Sequence, residues 1–498
     1  MRCKTLADLL RGRGAEIRFI CREHPGHLIR LLRDAGYSTA ELPVPAISGS
    51  MRDAGREDYA AWLGVEQSED ARQTIEVLGD FRSDWLVVDH YGLDATWERL
   101  IKPRVGNVLV IDDLANRPHD CDVLLDQNFF ADMESRYSGL VPVQARRLLG
   151  PRFALLRPEF RKARESLRVR DGVIKRILVF FGGVDPTGET DKALEALRSL
   201  NFPDIAMDVV VGATNPRADD IRTRCSKMPN VRFHRQAANM AELMAASDFS
   251  LGAGGTSNWE RCCVGLPSAV TVIAANQSKT TRDLAARGVL LALETAAEDG
   301  AARFRAVLEA VSGKLGWEKL HALQSASLAL VDGRGADRVA LSLSDEPVQL
   351  RHATAEDADT VWPWRNHTRT RQYSLNKNTV THAEHLSWWH HSLNDLSRVL
   401  LIGSRCGLDV GVLRYDLGRK GEAVVSVYLD PDLFRLGLGV AVLEAGNKWM
   451  MQHYRGVSEL HAKILPENEA SKRAFEAAGF HSSRGNWILN MNQTKIER

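Results

Sequence analysis

The chain has 498 residues, 44% of them hydrophobic and 26% charged, with a formal net charge of +1. At ~150 residues per compact unit, that length exceeds one core and points to about three units. A near-neutral chain without an apolar run approaching the roughly 18 residues of a membrane span gives no basis for a nucleic-acid or membrane partner, and a cytoplasmic location is expected. The seven cysteines (Cys3, Cys21, Cys121, Cys225, Cys262, Cys263 and Cys406) are scattered, and no pair has metal-ligand spacing. They read as reduced thiols.

The first predicted element is a helix over Lys4–Arg13, with Leu6, Leu9 and Leu10 on one face. Buried strands are predicted at Ile17–Cys21, Trp85–Asp89, Val108–Asp112, Ile177–Phe181, Met207–Val211 and Phe249–Leu251. Each precedes a turn and a helix-like segment, so the fold class is α/β with parallel sheets covered on both faces. Two such sets predict two Rossmann-like lobes, residues 1–150 and 151–342, with 155–168 as the crossing between them. A parallel lobe ordinarily opens with a strand that feeds its first helix, and no such strand precedes Lys4.

Asp332–Pro347, rich in Gly, Asp, Arg and Ser, separates two composition regimes and introduces a third domain over 348–495. There Val399–Gly403, Val410–Tyr415 and Val424–Leu429 read as a meander, followed by a helix at Val440–Tyr454. A strand at Leu460–Ile464 and a helix at Ala470–Ala478 complete it.

Three turns carry candidate chemistry. In ILVFFGGVDPTGET, Gly182 and Gly183 either let turn amides cradle a phosphate or simply make a tight turn. In LGAGGTSNWERCCVGLP, a glycine-rich turn leads into a helix with Thr256 or Ser257 as N-cap and Glu260 one turn in. A carboxylate there either accepts hydrogen bonds from ribose hydroxyls or only complements the helix dipole. In VSVYLDPDLFRLGLGVAVLEAG, a strand ends at Leu429, and Arg435, Gly437 and Gly439 line a turn whose amides can bind a pyrophosphate. Asn468 and Ser471 in KILPENEASKRAFEAAGF stand at the start of the next helix, and Gly479-Phe480 closes it.

These motifs carry two resemblances. Glu260 and its spacing to Gly265-Leu266-Pro267 resemble the nucleotide-binding lobe of glycosyltransferase B-type folds. Over roughly residues 1–340, LVVDHYGLD, VIDDLANRPHDCDVLLDQN, RYSGLVP, LLGPRFALLRPEF, FFGGVDP and GAGGTSNWERCC resemble the UDP-2,4-diacetamido-2,4,6-trideoxy-β-L-altropyranose hydrolase family of pseudaminic acid biosynthesis. That resemblance implies displacement of UDP from sugar C1 by water, without a metal. It places Arg157 and Glu260 on the substrate, with Asn258, Asn276 and Gln277 facing the sugar or diphosphate. Asp89, His90 and Tyr91 lie at the carboxyl end of a first-lobe strand, where such sheets bind ligands.

The family opens with a strand and a Gly-x-Gly-His-x-x-Arg-Cys loop whose histidine is the expected general base. Met1-Arg2-Cys3 matches only the end of that motif, and Gly188 stands where the family usually has Asn. One expectation is a reading frame about twenty residues longer upstream. The alternative is a remnant lobe that binds nucleotide poorly or not at all; a hydrolase-dead nucleotide-sugar-binding module and a glycosyltransferase also stay open because fold does not fix reaction. His24, His27 and His90 are base candidates by residue type only.

Residues 348–492 look like the GCN5-related N-acetyltransferase superfamily, which implies acetyl-CoA as cosubstrate. Phe434 stands where that superfamily's glycine motif usually has Gln or Arg, and Phe475 where many members have a tyrosine acid, leaving water or Tyr428 as the acid. DTVWPWRNHTRTRQYSLNKNTVTHAEHLSWW is similar to the acceptor segment of acetyltransferases acting on UDP-4-amino-4,6-dideoxy-N-acetyl-altrosamine. Trp364, Arg365 and His385 then contact a UDP-linked amino sugar, or the aromatic residues are core.

Overall fold

In the computed structural model, residues 1–24, 26–44, 59–200, 202, 204–293, 300–313, 316–483 and 485–491 are described; positions 492–495 of the expected third domain lie outside them. The chain divides into two units, Met1–Val339 and Ala340–Arg498.

In the first unit the predicted strands form within three residues of their expected bounds. β1 (Arg18–Arg22) pairs in parallel with β2 (Ser38–Leu42) as a separate two-stranded sheet. β3 (Ser83–Val88), β4 (Val105–Ile111), β5 (Val123–Asp126) and β6 (Arg146–Leu149) make a parallel sheet in chain order. The first helix, Arg2–Gly12, precedes β1 and buries Thr5, Leu6 and Ala7.

A six-stranded parallel sheet follows. It contains β7 (Arg176–Phe180), β8 (Ala206–Val211), β9 (Val231–Arg235), β10 (Phe249–Ala253), β11 (Ser268–Thr271) and β12 (Leu291–Leu293), in the order β12-β11-β10-β7-β8-β9. Its middle strands β10 and β7 are apolar apart from Ser250 and Arg176 because both faces are covered. In β7, Ile177 and Val179 enter one buried cluster and Leu178 the other. The strand order reverses between β10 and β7, the place where open α/β sheets receive ligands at the strands' carboxyl ends.

Arg170 holds part of this frame. Its buried guanidinium donates to the carbonyls of Ser247, Val264 and Gly265 at 2.9–3.0 Å, and to Met244 and Ala245 at longer range. It thereby satisfies carbonyls at and just beyond the C-terminal ends of helices Met240–Ala246 and Ser257–Cys263.

The second unit holds a seven-stranded sheet: β13 (Gln349–His352), β14 (Arg398–Arg405), β15 (Leu408–Leu417), β16 (Glu422–Leu429), β17 (Glu459–Ala462), β18 (His481–Ser483) and β19 (Asn486–Asn490). The order is β13-β14-β15-β16-β17-β19-β18, antiparallel except at β16–β17. Helices Leu438–His453 and Glu469–Ala477 follow β16 and β17. The expected separating segment Asp332–Pro347 is largely helical instead: Gly335–Leu343 forms a helix because its Val-Ala-Leu run is buried at Val339, Leu341 and Leu343.

Candidate functional site

The two glycine-rich turns of the first unit lie at the switch point, after β7 and after β10. They are built differently. After β7, Gly182 has φ +88 and Gly183 packs against Gly212, where an added Cβ would come within 2.4 Å of the Gly183 carbonyl oxygen. The helix that follows is capped from within: Asp185 accepts from the amides of Glu189 and Thr190, both at 2.9 Å. Two of the first helix amides are thereby satisfied within the protein. After β10, helix Ser257–Cys263 begins at Thr256 with no side-chain cap. Gly254 is required there by close approach, since a Cβ would stand 2.5 Å from the Thr281 hydroxyl.

That second turn borders a cleft of about 460 Å³. Gly254, Gly255, Thr256, Trp259, Glu260, Asn276, Gln277 and Arg157 contribute to one part of its lining. Burial outweighs the nearby Arg157, 3.7 Å away, and raises the Glu260 carboxyl above its usual range. Gln277 is oriented by the amide of Ile273, which donates to its Oε1 at 3.1 Å.

The remaining lining comes from the carboxyl ends of β3, β4 and β5: Asp89, His90 and Tyr91, then Asp113, then Gln127 and Asn128, with Arg2 and Trp62 beside them. Asp89 is neutralised by Arg2, which donates to it at 2.6 Å and 3.1 Å, and it also accepts from the Cys3 thiol at 3.2 Å. Desolvation works against the charge of Asp89, but Arg2 more than offsets it and the carboxyl is lowered. His90 accepts from the Gly92 amide at Nδ1, 3.0 Å, so a neutral ring carries its proton on Nε2. Burial lowers its pKa. His90 is therefore a donor to the cleft rather than a base.

Asp113 lies 3.7 Å from Arg2 Nη1. Asn128 Nδ2 donates to its Oδ2 at 2.9 Å, while Oδ1 is buried without a hydrogen-bond partner. Asn128 in turn accepts from the indole of Trp259 at 3.1 Å. A chain of hydrogen bonds thus runs from the helix after β10 to a carboxylate after β4. Burial also raises Asp113, and it pushes the neighbouring Asp126 up to about 8.

In the second unit, β16 and β17 pair only from Glu422↔Glu459 to Val424↔His461, although β16 continues to Leu429. The two strands splay, and the backbone of 425–429 keeps a partner only on the β15 side. Such an edge can accept an extended ligand by main-chain pairing. The turn after it holds Arg435 at φ +67 and Gly437 at φ +76. Left-handed residues in a turn point successive amides to one side. Gly439 admits the helix against Ala474 and Leu429, 3.6 and 3.7 Å from an added Cβ. Tyr428 lies on the opposite face of β16 from Leu429, against the cluster of Trp364 and Trp389. Burial pushes its phenol up to about 12.

Residues 348–481 match the family model described as Acetyltransferase (GNAT) domain. The second unit carries a GNAT acetyltransferase domain. The chain is 22% identical over 456 residues to an uncharacterized protein of Methanocaldococcus jannaschii, covering 86% of this chain and 88% of that protein. It is 28% identical over 212 residues to the spore coat polysaccharide biosynthesis protein SpsG of Bacillus subtilis, covering 42% of this chain and 62% of that protein. It is also 27% identical over 225 residues to the UDP-2,4-diacetamido-2,4,6-trideoxy-β-L-altropyranose hydrolase of Campylobacter jejuni, covering 45% of this chain and 77% of that protein. The chain therefore joins an N-terminal half similar to sugar-nucleotide enzymes to the GNAT domain.

Of the residues singled out from sequence, the cleft gathers Tyr91, Arg157, Glu260, Asn276 and Gln277. Gly182, Gly183 and Asn258 do not line it; Asn258 is buried and accepts from Arg261 at 2.5 Å. In the GNAT domain, Leu429, Arg435, Gly437 and Gly439 cluster at the splay and its turn, whereas Asn468 caps its helix by accepting from the Ser471 amide at 3.1 Å. His385 is buried, with its Nε2 3.1 Å from the Ala358 carbonyl, and Trp364 is core. Arg365 donates to the Asn376 carbonyl at 2.8 Å and has a second nitrogen, Nη1, buried without a partner. Sequence reading missed Arg2, Asp113, Asn128 and Thr280. The first three stand in quoted motifs, and the rule that placed Asp89 at a strand's carboxyl end applies equally to Asp113 and Asn128. Among the described residues, one group with metal-ligand composition, Glu422, Glu459 and His461, sits at the paired ends of β16 and β17, away from the splay.

Proposed function

We propose that the chain is a bifunctional enzyme of pseudaminic acid biosynthesis. Its GNAT domain transfers acetyl from acetyl-CoA to the amine of a UDP-4-amino-4,6-dideoxy sugar. Its first unit hydrolyses the UDP-2,4-diacetamido-2,4,6-trideoxy product to free sugar and UDP. The domains on this reading are two Rossmann-like lobes, 1–150 and 151–342, in a glycosyltransferase B-type arrangement, and the acetyltransferase, 348–495.

The observation that carries the hydrolase reading is the cleft itself. An uncapped glycine turn and Glu260 come from one sheet, and acidic and aromatic groups come from the other. In this reading the amides of Gly255 and Thr256 hold the diphosphate, and Glu260 accepts hydrogen bonds from the ribose. Arg157 adds positive charge toward the leaving group. Tyr91, with Trp62 6.2 Å away ring to ring, gives the sugar an apolar face.

For the acetyltransferase, the splayed edge of β16 pairs with pantetheine, and the Arg435–Gly439 turn receives the pyrophosphate. Tyr428 keeps its proton at neutral pH and donates it to the departing thiolate. Arg365 and Arg414, both close enough to act on Tyr428, supply positive charge for an anionic acceptor.

The test supplies the UDP-4-amino sugar and acetyl-CoA to the purified chain and follows both halves by NMR and by UDP release. The reading requires acetylated UDP-sugar first, then free diacetamido sugar plus UDP without an added acceptor. UDP release that depends on an added sugar acceptor would make the first unit a glycosyltransferase. Acetylation without UDP release would reduce it to a nucleotide-sugar-binding module.

A further inference from the structure

We propose that Arg261 is a positioning residue of the cleft in the first unit, a buried cation behind the Gly254–Thr256 turn that strengthens the turn's hold on a diphosphate. The proposal rests on reading the cleft as a nucleoside-diphosphate site, and it holds whether water or another acceptor takes the sugar.

Arg261 is 1% exposed and does not line the cleft. Its guanidinium is bonded to both flanks of the turn. Nη2 donates to the Ala253 carbonyl at 2.8 Å and to Asn258 Oδ1 at 2.5 Å, and Nη1 to the Ser257 hydroxyl at 3.4 Å. An added Cβ at Gly252 would stand 2.5 Å from Nη1 and 2.9 Å from the Phe180 carbonyl oxygen, so the guanidinium lies beside the seam between the ends of β10 and β7. That seam is the switch point of the sheet.

All three acceptors are neutral. Among the described residues no carboxylate forms an ion pair with Arg261, and its Nε is buried without a partner. Arg170 shows the contrast: it too is buried without an ion pair, yet all three of its nitrogens donate to carbonyls, five in all. A buried charge that is neither paired nor fully hydrogen-bonded is strongly unfavourable. Burial pulls the Arg261 guanidinium down to about 10, so it keeps its charge at neutral pH.

A diphosphate in the cleft supplies the missing counter-charge. In a low-dielectric interior a unit charge acts at longer range than in water and needs no contact. The field already reaches a residue of the cleft wall: burial raises the Glu260 carboxyl, and Arg157 and then Arg261 act against that rise. When the bond from the sugar to the diphosphate oxygen breaks, its electron pair stays on that oxygen, and the charge that Arg261 offsets grows.

The experiment measures UDP and uridine affinities by calorimetry on the full chain, unaltered and as R261M and R261K. Uridine carries no phosphate, so a general loss of structure weakens both ligands, whereas loss of the cation weakens UDP alone. R261M is expected to fold, because an apolar side chain of similar volume often replaces a buried charge without loss of stability. Its preference for UDP over uridine should shrink about tenfold, with uridine affinity unchanged. R261K keeps the charge and should hold the preference within about threefold of the unaltered chain. If R261M does not fold, R261Q takes its place in the same comparison. An R261M or R261Q chain with the native preference would overturn the proposal. So would an R261K that loses as much as the neutral variant, since shape and not charge would then matter, and so would the failure of all three to fold, which would leave Arg261 a frame residue like Arg170. An unaltered chain that binds UDP no better than uridine would instead remove the reading of the cleft itself, and the role of Arg261 with it.

Discussion

The turn after β7 and the turn after β10 look alike as sequence, each a strand followed by paired glycines and a helix. Only the second of them lines the cleft. Asp185 supplies two carboxylate oxygens to the helix amides after β7, and Gly183 is pressed against Gly212. After β10 no side chain takes that role, and the turn borders the cleft. Glycines report close approach; whether the approach is to a ligand depends on which amides the protein has left unsatisfied.

The largest expected effect comes from closing the open turn. Gly254→Val places side-chain atoms into the Thr281 hydroxyl, and UDP release should fall at least ~100-fold, a misplacement effect of the size known for positioning groups. Acetyl transfer, assayed separately, should be unaffected. Glu260→Gln should weaken UDP binding about tenfold, as for loss of a hydrogen bond to a charged group, read by calorimetry. An unchanged affinity would leave Glu260 as a helix-dipole residue.

Tyr428→Phe should slow acetyl transfer by about tenfold or more if the phenol is the acid. Because that phenol is pushed up to about 12, its proton is retained through the neutral range, and no alkaline limb from this group should appear below about pH 11. Gly437→Ala forces a side chain into φ +76 at a cost of about 1 kcal/mol, so the KM for acetyl-CoA should rise about fivefold with kcat preserved. Smallest on ligand binding is Asp185→Ala. It should lower stability by ~1 kcal/mol as a lost cap, measured by denaturation, and leave UDP affinity unchanged. A loss of UDP affinity there would erase the contrast between the two turns.

The strands were legible because their residues form short apolar runs, buried on both faces, as in Ile177–Phe181 and Val410–Leu413. Short strands such as Val123–Asp126 and Arg146–Leu149 escaped, the second because two arginines mask a pairing made by backbone alone. The end of β16 at Leu429 and the glycine turn after it were legible, since the glycines and the preceding strand are contiguous. The first-unit cleft was read only in part. Tyr91, Glu260 and Gln277 stand in recognisable motifs, but Asp113 acquires its meaning from Asn128 and Trp259, the latter 146 positions away in sequence and joined to it only by folding. His385 misled for the converse reason: a histidine in an aromatic, basic segment looks like a contact residue until its burial against Ala358 is seen.

The relay from Trp259 through Asn128 to Asp113 has a mechanical consequence. Its first member rides on the helix that opens at the Gly254–Thr256 turn, and its last is anchored on a different sheet. Displacement of one sheet against the other would stretch these two hydrogen bonds, so the relay braces the two walls of the cleft against each other.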